Sequence, residues 1–294
     1  MSEATRHWRD ALRDLDARTH ECVHCGLCLP TCPTHALLGT EMDSPRGRIY
    51  LIRALTDGRI DATPTTLRHL DRCLDCRACE TACPSGVRYG QIIEEARAAL
   101  APVRPRSLVT RTLGSLGLRL LRRRAALAWF VRLQGAITAS GFGRAVAPFL
   151  PRTLRRGLEL APRKHGRAFL RHSAERIPAT AARRSQVGLF AGCVMNEVQG
   201  EVHRATARVL TRLGYDLLVP RDQGCCGALH AHNGQRAEAE RLRAAAARVF
   251  SQVDEVVVNS AGCGAHLSAT PDSDAHPRFI DFSVFWVIKD ARAY

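Results

Sequence analysis

Eight of the twelve cysteines fall in two short stretches that share one spacing. CVHCGLCLPTCP provides Cys22, Cys25, Cys28 and Cys32, and CLDCRACETACP provides Cys73, Cys76, Cys79 and Cys83. Both stretches fit C-x2-C-x2-C-x3-C-P, in which closely spaced thiolates bind neighbouring irons of one [4Fe-4S] cube. Because the full pattern occurs twice, the sequence predicts two cubes.

The fourth cysteine of each stretch is predicted to bind the other cube, as it does in two-cluster ferredoxins. The expected ligand sets are Cys22, Cys25, Cys28 and Cys83 for the first cube and Cys73, Cys76, Cys79 and Cys32 for the second. Zinc sites and unliganded thiols are the alternatives. Zinc, however, has no reason to prefer two identical runs of three close cysteines and one more distant.

The remaining four cysteines are sparser, and glycines flank them. They are Cys193, Cys225, Cys226 and Cys263. The glycines free the backbone, so that adjacent thiols of the GCCG stretch can point into one site. A third iron–sulfur or metal centre, a thiol redox site and a structural remnant all remain open at this point.

The elements that position these cysteines divide the chain into an α-helical part and an α/β part. Residues 1–100 are predicted to form an α-helical two-cluster ferredoxin domain, because the spacer between the two runs is long enough for two helices. One helix is expected after SPRGR, with Ile49, Ile52 and Leu55 on one face. Another is expected after Thr63 as N-cap and Pro64 as the first helical residue. Arg46 and Arg48 either face an anionic cluster or lie in a solvent-exposed turn.

Residues 185–270 alternate predicted strands and helices, which indicates a parallel sheet and a cysteine-rich α/β domain. Each cysteine of this part follows the carboxyl end of a predicted strand, the edge at which open α/β sheets place their sites. Residues 271–294 are treated as a tail. Between the two parts, residues 101–184 are predicted to form a basic helical connector.

The formal net charge of +15 belongs to this connector, which has 19 Lys and Arg and two Glu, or +17, whereas the rest of the chain carries −2. Five apolar residues are expected on one face of its helices: Leu113, Leu116, Leu120, Leu127 and Val131. Such helices can lie on an anionic membrane surface or pack on their own protein. Arginines interrupt every apolar run before it could span a bilayer. Nucleic acid is not an expected partner, because aromatic residues are sparse.

The first twenty residues are charged and lack the apolar core of a secretory signal. Clustered cysteines in a protein that is not exported indicate metal sites rather than disulfides. The expected location is therefore the cytoplasm, or the periphery of the inner face of the cell membrane.

With these segments in view, the sequence resembles the iron–sulfur subunit of glycolate oxidase (glycolate dehydrogenase). Four stretches carry the resemblance: CVHCGLCLPTCPTHALLGTEMDSPRGRIYLIRAL, HLDRCLDCRACETACPSGVRYGQ, AGCVMNEVQGEVHRATARVLTRLG and GCCGALHAHNGQ. The resemblance implies an electron-transfer subunit that relays single electrons from flavin-containing partner subunits, which hold the FAD, toward a membrane quinone. It implies no substrate-oxidising site in this chain. The alternative is the equivalent subunit of a heterodisulfide-reductase-like, lactate-utilisation or anaerobic glycerol-3-phosphate dehydrogenase complex.

One departure from the family concerns its cysteine-rich repeats. The family usually carries two repeats, each with a CCG, whereas this sequence has one. We therefore expect a form truncated before the second repeat or a natural short form, in which a site built between two repeats would be incomplete.

Overall fold

The structure is a computed structural model that describes residues 3–105, 107–141, 146–149, 155–157, 166–268 and 277–289. Its helices are α1 (Glu3–Arg13), α2 (Asp16–His20), α3 (Pro33–Leu38), α4 (Pro45–Thr56), α5 (Pro64–Asp71), α6 (Ala78–Thr81), α7 (Tyr89–Ala99), α8 (Leu108–Arg122), α9 (Arg124–Ala139), α10 (Phe169–His172), α11 (Val194–Val198), α12 (Gly200–Arg212), α13 (Ala228–His232), α14 (Arg236–Val249), α15 (Ala261–Leu267) and α16 (Phe282–Lys289). The strands are β1 (Arg176–Ile177), β2 (Ser185–Phe190), β3 (Tyr215–Leu218), β4 (Glu255–Val258) and β5 (Arg278–Asp281).

The chain divides into two compact units. The first unit comprises residues 1–112 and 227–240, and the second comprises residues 113–226 and 241–294. The first unit therefore contains both cysteine runs together with α13, and the second contains the other four cysteines.

The first unit is helical. Its helix α5 begins at Pro64 as the sequence predicts, whereas α4 begins at Pro45, inside SPRGR rather than after it. Ser44 caps α4 by accepting a hydrogen bond from the Gly47 amide at 3.0 Å. Thr63 caps α5 in the same way through the Thr66 amide at 3.2 Å, with Pro64 as the first helical residue. The predicted apolar face of α4 is buried in a core that it shares with α1, α5 and α7.

The second unit is built on a five-stranded sheet with the order β1-β3-β2-β4-β5. Neighbouring strands from β3 to β5 are parallel, and β1 pairs with β3 in the antiparallel direction. The central strand β2 pairs Val187 with Leu217 on one side and Leu189 with Val257 on the other. The parallel sheet predicted from the alternation of strands and helices is present.

The segment after residue 270 contributes to this sheet. Strand β5 pairs with β4 in parallel, so that Phe279 lies opposite Val256, and α16 follows it directly. This strand was not predicted, because RFID has only two apolar residues, which stand between Arg278 and Asp281. Residues 269–276 and 290–294 of the predicted tail lie outside the described residues.

The connector is helical in α8 and α9, but the residues of its predicted apolar face are not all buried. Leu120, Leu127 and Val131 pack in the second unit. Leu113 and Leu116 are exposed. The rest of the predicted connector lies largely outside the described residues. Among the helices of the described ranges, none combines the length and apolarity needed to cross a membrane.

Candidate functional site

The first three cysteines of each run lie mainly in a loop whose backbone shape is shared by the two runs. The left-handed region is occupied at the second and fourth residues after the first cysteine in both. These residues are His24 and Gly26 in the first run, with φ of 57° and 86°, and Asp75 and Arg77 in the second, with φ of 53° and 56°. Non-glycine residues rarely adopt this conformation, so its repetition indicates a shape that both loops require.

The fourth cysteine of the first run meets the second run at one cavity. Cys32, Cys73, Cys76 and Cys79 all line it. The remaining lining residues are Thr31, Pro33, Thr34, Pro45, Arg48, Leu74, Arg77 and Tyr89. Four thiols around one cavity are the donor set that a [4Fe-4S] cube requires, so the residues present fit this cofactor.

The first three cysteines of the first run also lie near one another. Burial raises the pKa of Cys28, and negative charge on Cys22 and Cys25 adds to the shift. Cys83 follows α6 and packs, partly buried, against the core of the first unit. Burial likewise raises the pKa of Cys79, and charge on Cys73 and Cys28 contributes. Cysteines of both runs therefore lie around one core of the first unit.

Cys73 receives two hydrogen bonds in this site. The Tyr89 hydroxyl donates to its Sγ at 3.5 Å, and the Asp75 amide donates at 3.4 Å. Tyr89 is the first residue of α7, and only 3% of it is exposed. Burial raises the pKa of Tyr89 well above its usual value, so the phenol keeps its proton. A donor with this placement stabilises negative charge on the Cys73 sulfur.

The two arginines of SPRGR have different environments. The side chain of Arg48 is 1% exposed, donates to the His69 carbonyl at 2.7 Å and lines the cavity of the second cysteine run. Arg46 is more exposed, pairs with Glu41 at 2.7 Å and donates to the His24 carbonyl at 3.0 Å. Arg48 thus places a buried cation beside the cysteines, with the buried Asp43 carboxylate 3.5 Å away, whereas Arg46 and its partner Glu41 are both partly exposed.

A buried network on the other side of the second run was not predicted. Arg97 donates to the carbonyl oxygens of Leu70 at 2.9 Å, Asp71 at 3.2 Å and Cys73 at 2.5 Å. It lies 3.9 Å from the buried carboxylate of Asp75. Arg97 therefore joins the end of α5 to the start of the cysteine loop.

Three residues of this network resemble a cation site, since ligand atoms of Asp75, Glu94 and His232 lie within 4.8 Å of one another. Two guanidinium groups already neutralise the carboxylates, with Arg77 at 2.9 Å from Glu94 and at 3.7 Å from Asp75. Burial, followed by the charge on Asp75, raises the pKa of Glu94 to about 7. We interpret the group as a compensated charge network rather than a metal site.

The four cysteines of the second unit lie near the carboxyl ends of three parallel strands. Cys193 follows β2, Cys225 and Cys226 follow β3, and Cys263 lies in α15 after β4. Since β3, β2 and β4 are adjacent and parallel, these ends meet at one edge of the sheet.

Gln223 fixes the loop that leads to the adjacent cysteines. Its side chain is fully buried. The side-chain oxygen accepts from the Ala191 amide at 2.7 Å, and the amide nitrogen donates to the carbonyls of Pro220 at 3.0 Å and Leu189 at 3.3 Å. A neutral side chain thus ties this loop to the end of β2, two residues before Cys193.

The thiols of the second unit interact with one another. The Sγ atoms of Cys226 and Cys263 are 3.1 Å apart. A hydrogen bond to Cys225, followed by burial, raises the pKa of Cys193, and hydrogen bonds to Cys225 and Cys263 raise that of Cys226. Leu127 of α9 packs against Cys193 and Cys225. Three of these cysteines are buried and Cys263 is half-buried, and a group of four thiols suits a soft metal ion or an iron–sulfur cluster.

Comparisons with known proteins also separate the two cysteine runs from the four later cysteines. The family model described as a 4Fe-4S dicluster domain matches residues 21–87, and that of a cysteine-rich (CCG) domain matches residues 187–268. The glycolate oxidase iron-sulfur subunit of Escherichia coli (strain K12) is 37% identical over 273 residues, which cover 90% of this chain and 62% of that protein. The resemblance to glycolate oxidase iron–sulfur subunits is confirmed.

Other relatives agree with this relationship or match less of the chain. The probable glycolate oxidase iron-sulfur subunit of Bacillus subtilis (strain 168) is 36% identical over 84% of this chain and 58% of that protein. This chain thus spans about three fifths of the glycolate oxidase subunits it matches. Lactate utilization protein A of Geobacillus kaustophilus (strain HTA426) is 35% identical over 29% of this chain. No solved structure matches the chain significantly.

Proposed function

We propose that this chain is the electron-transfer iron–sulfur subunit of a flavin-dependent glycolate (2-hydroxyacid) dehydrogenase. The observation that carries the proposal is the cavity that Cys32 shares with Cys73, Cys76 and Cys79. It supports crossed ligation, in which this set holds the second cube and Cys22, Cys25, Cys28 and Cys83 hold the first. A [4Fe-4S] cube supplies one-electron chemistry when bound.

The role of the protein in this reaction is to hold the two cubes close together and to compensate their charge. Cysteines of both runs pack in or against one core of the first unit, which supports a short separation of the two sites. Buried Arg48 and the hydrogen bond from Tyr89 favour negative charge at the second site. No substrate-oxidising residue is assigned to this chain, so the hydride equivalent of the 2-hydroxyacid is taken up by flavin on a partner subunit.

The proposed substrate follows from the relatives. Both glycolate oxidase subunits align with most of this chain, whereas the match to lactate utilization protein A covers 86 residues. A role in a lactate-utilisation or related complex therefore has weaker support than a role in glycolate oxidation.

We also propose a third centre at Cys193, Cys225, Cys226 and Cys263. The mutual hydrogen bonding of these thiols supports it, because a bound metal would replace the protons that now separate the sulfurs. Whether it is an iron–sulfur cluster or a single metal ion can be measured by iron and zinc content of anaerobically prepared protein, with Cys226→Ser as the variant that lacks the site.

A peripheral membrane contact is proposed for α8 and α9, in keeping with electron delivery to a quinone. Trp129, Phe130 and Leu133 are exposed on α9. Arg132 lies among them, and Arg122 and Arg123 precede the helix. Aromatic and basic residues in this arrangement favour an anionic bilayer surface. Sedimentation with vesicles containing phosphatidylglycerol, and not with phosphatidylcholine vesicles alone, is the expected result. A Trp129→Ser/Phe130→Ser variant should lose most of this binding.

The experiment that tests the main proposal measures iron and its ligands. Anaerobically prepared protein should contain about eight irons in two cubes and show visible absorbance that dithionite bleaches. Cys32→Ser should perturb the electron paramagnetic resonance signal of the second cube, and Cys83→Ser that of the first. Stoichiometric zinc without visible absorbance would contradict the presence of cubes. Crossed ligation would be contradicted if Cys32→Ser changed only the signal of the first cube and Cys83→Ser only that of the second.

The partner is tested separately in the native host. An affinity-tagged chain should co-purify with a flavoprotein, and glycolate should bleach the visible absorbance of the assembled complex. Bleaching by lactate but not by glycolate would favour the alternative complex. An iron-loaded chain recovered only as a monomer would contradict the subunit role.

A further inference from the structure

Tyr89 is a buried phenol whose hydroxyl is aimed at a predicted cluster ligand. The chain has four tyrosines. Tyr89 donates to the Cys73 Sγ at 3.5 Å and lines the cavity that this cysteine shares with Cys32. Tyr50, in the same unit, is half exposed, and its hydroxyl accepts from Arg59 at 3.2 Å. These two tyrosines therefore form a natural pair of test and control.

The surroundings of the two ligand sets differ in a way that affects their reduction. Hydrogen bonds to cluster sulfurs and nearby positive charge both stabilise the reduced, more negative form of a cluster. The second set has the Tyr89 hydroxyl and the buried Arg48, whose guanidinium lies 3.5 Å from the Asp43 carboxylate. The first set has Arg46 near Cys22 and Cys28, which pairs with Glu41 at 2.7 Å and is partly exposed to solvent. Both cations have a carboxylate partner, so they differ mainly in their exposure.

We propose that Tyr89, through its hydrogen bond to Cys73, is a residue that selectively raises the reduction potential of the second cube. The inference rests on the proposed function, because it requires that the cube be bound by Cys32, Cys73, Cys76 and Cys79. Tyr89 acts through a ligand and takes part in no bond making. Its ring also packs in the core of the first unit, which is why its contribution is measured as a potential and not as activity.

The experiment is a redox titration of the full chain, followed by electron paramagnetic resonance, for the wild-type protein and three variants. Tyr89→Phe removes the hydroxyl and keeps the ring. It should lower one midpoint potential by an amount equal to about a tenfold change in the reduction equilibrium constant, or ~59 mV for one electron. Arg46→Gln should lower the other midpoint, which assigns the two signals. Tyr50→Phe should change neither potential by a comparable amount.

A second measurement does not depend on removing a group from the core. Replacement of all tyrosines by 3-fluorotyrosine keeps the fold nearly unchanged and makes the phenol a stronger donor. It should raise the same midpoint that Tyr89→Phe lowers, and Tyr50→Phe should not diminish the effect.

The outcomes separate the inference from the proposed function. Two cubes whose midpoints are both insensitive to Tyr89→Phe and to 3-fluorotyrosine would overturn the inference alone. An equal shift of both midpoints would also overturn it, because the effect would not be selective. A protein that assembles no cubes would overturn the proposed function, and the inference with it.

Discussion

Arg97 in the first unit and Gln223 in the second both bind backbone atoms beside cysteines, but only Arg97 is charged. Arg97 donates to three carbonyl oxygens, the last of them that of Cys73 itself. Gln223 connects the loop before Cys225 to the end of β2. Both side chains hold a cysteine loop in place through backbone hydrogen bonds, but Arg97 does so with a charged group and Gln223 with a neutral one.

The difference reflects what each group of cysteines is built to hold. A buried guanidinium is stable only if negative charge compensates for its lost hydration. The first unit buries Arg48 and Arg97 beside cysteines and provides Asp43 and Asp75 as partial partners. An anionic cluster would add to this compensation.

In the second unit, Cys193 and Cys225 pack with Leu127 at the sheet edge. Hydrogen bonds among the cysteines raise the pKa of Cys193 and Cys226, whereas the hydrogen bond from Cys226 lowers that of Cys263.

The largest expected effect comes from substituting one cysteine in each unit. Cys79→Ser should remove the second cube and about half of the iron of the first unit, because a cube with three thiolates is poorly retained. Cys226→Ser should leave both cubes in place, since its thiol belongs to the other group. Iron analysis and the dithionite-bleachable absorbance measure the result. Equal loss of the two cube signals in both variants would contradict the separation of the two sites.

The second-largest expected effect is the loss of stability when Arg97 or Gln223, the side chains that hold the two cysteine loops, is replaced. Arg97→Met leaves three carbonyl oxygens without their donor and removes one of the two guanidinium groups beside the Asp75 carboxylate, so the free energy of unfolding should fall by roughly 3 kcal/mol or more. Gln223→Leu removes neutral hydrogen bonds and should cost roughly 1–3 kcal/mol. Urea unfolding of the anaerobic protein, followed by circular dichroism, measures both.

A surface variant controls the Arg97 measurement. Arg236→Met removes an arginine of the same unit that pairs with Glu95 at 3.1 Å but is 67% exposed. Its effect should stay below about 1 kcal/mol, because exposed ion pairs contribute little. If Arg97→Met and Arg236→Met had the same effect, the buried cation would not anchor the cysteine loop.

The third effect is a pH dependence that belongs to the second unit. Burial lowers the pKa of His203 to about 4, so this imidazole is neutral in the folded protein at neutral pH. In the unfolded chain its pKa returns to about 6.5. The unfolded state therefore binds more protons between these values, and stability present above pH 6.5 is lost as the pH falls toward 4.

The size of this dependence is measurable against a variant that cannot titrate. Between pH 7 and pH 4.5 the free energy of unfolding should fall by roughly 2–3 kcal/mol more for the wild type than for His203→Gln. Glutamine retains an amide that can replace the ring nitrogen 3.0 Å from Asn259 Nδ2. Urea unfolding at the two pH values checks the difference. Parallel pH profiles of the two proteins would mean that His203 is charged when folded.

Sequence reasoning worked best where a local pattern determines the structure. Thr63 and Pro64 begin a helix because the cap and the fixed φ act within one turn. The apolar runs of β2, β3 and β4 likewise predict that the later cysteines follow strand ends. Strand β5 was not predicted, because its only two apolar residues stand between Arg278 and Asp281.

Contacts between residues distant in the sequence were not predictable in the same way. Tyr89 reaches Cys73 across 16 positions, and His232 lies 3.5 Å from Asp75 although more than 150 positions separate them. Nothing in the local residue pattern encodes such pairs, because the first depends on the packing of α7 against α5 and the second on the packing of α13 against α7. The packing of Leu120, Leu127 and Val131 was foreseen only as one of two alternatives, because an apolar helix face does not specify what covers it.

The smallest expected effect concerns the two loops that share their backbone shape. Gly26 adopts its φ of 86° without steric cost, whereas an alanine there would be strained, and its Cβ would lie 2.6 Å from the Arg46 Nη1 atom. Gly26→Ala should therefore lower the free energy of unfolding by about 1–2 kcal/mol. Urea unfolding with the same probe measures the change.

The corresponding change in the second run should be smaller, because two effects oppose each other. Arg77→Gly relieves about 1 kcal/mol of left-handed backbone strain. It also removes the ion pair with Glu94 at 2.9 Å, whose two side chains are 10% and 16% exposed. Burial and the charge on Asp75 raise the pKa of Glu94 to about 7, so this carboxylate takes up a proton when the guanidinium is lost and leaves no unpaired buried charge. We therefore expect a net change within about 1 kcal/mol. A loss several-fold larger than that of Gly26→Ala would show that the charge network, and not the backbone turn, fixes the second loop. It would extend to Arg77 the role that the contacts of Arg97 assign to buried cations in this unit.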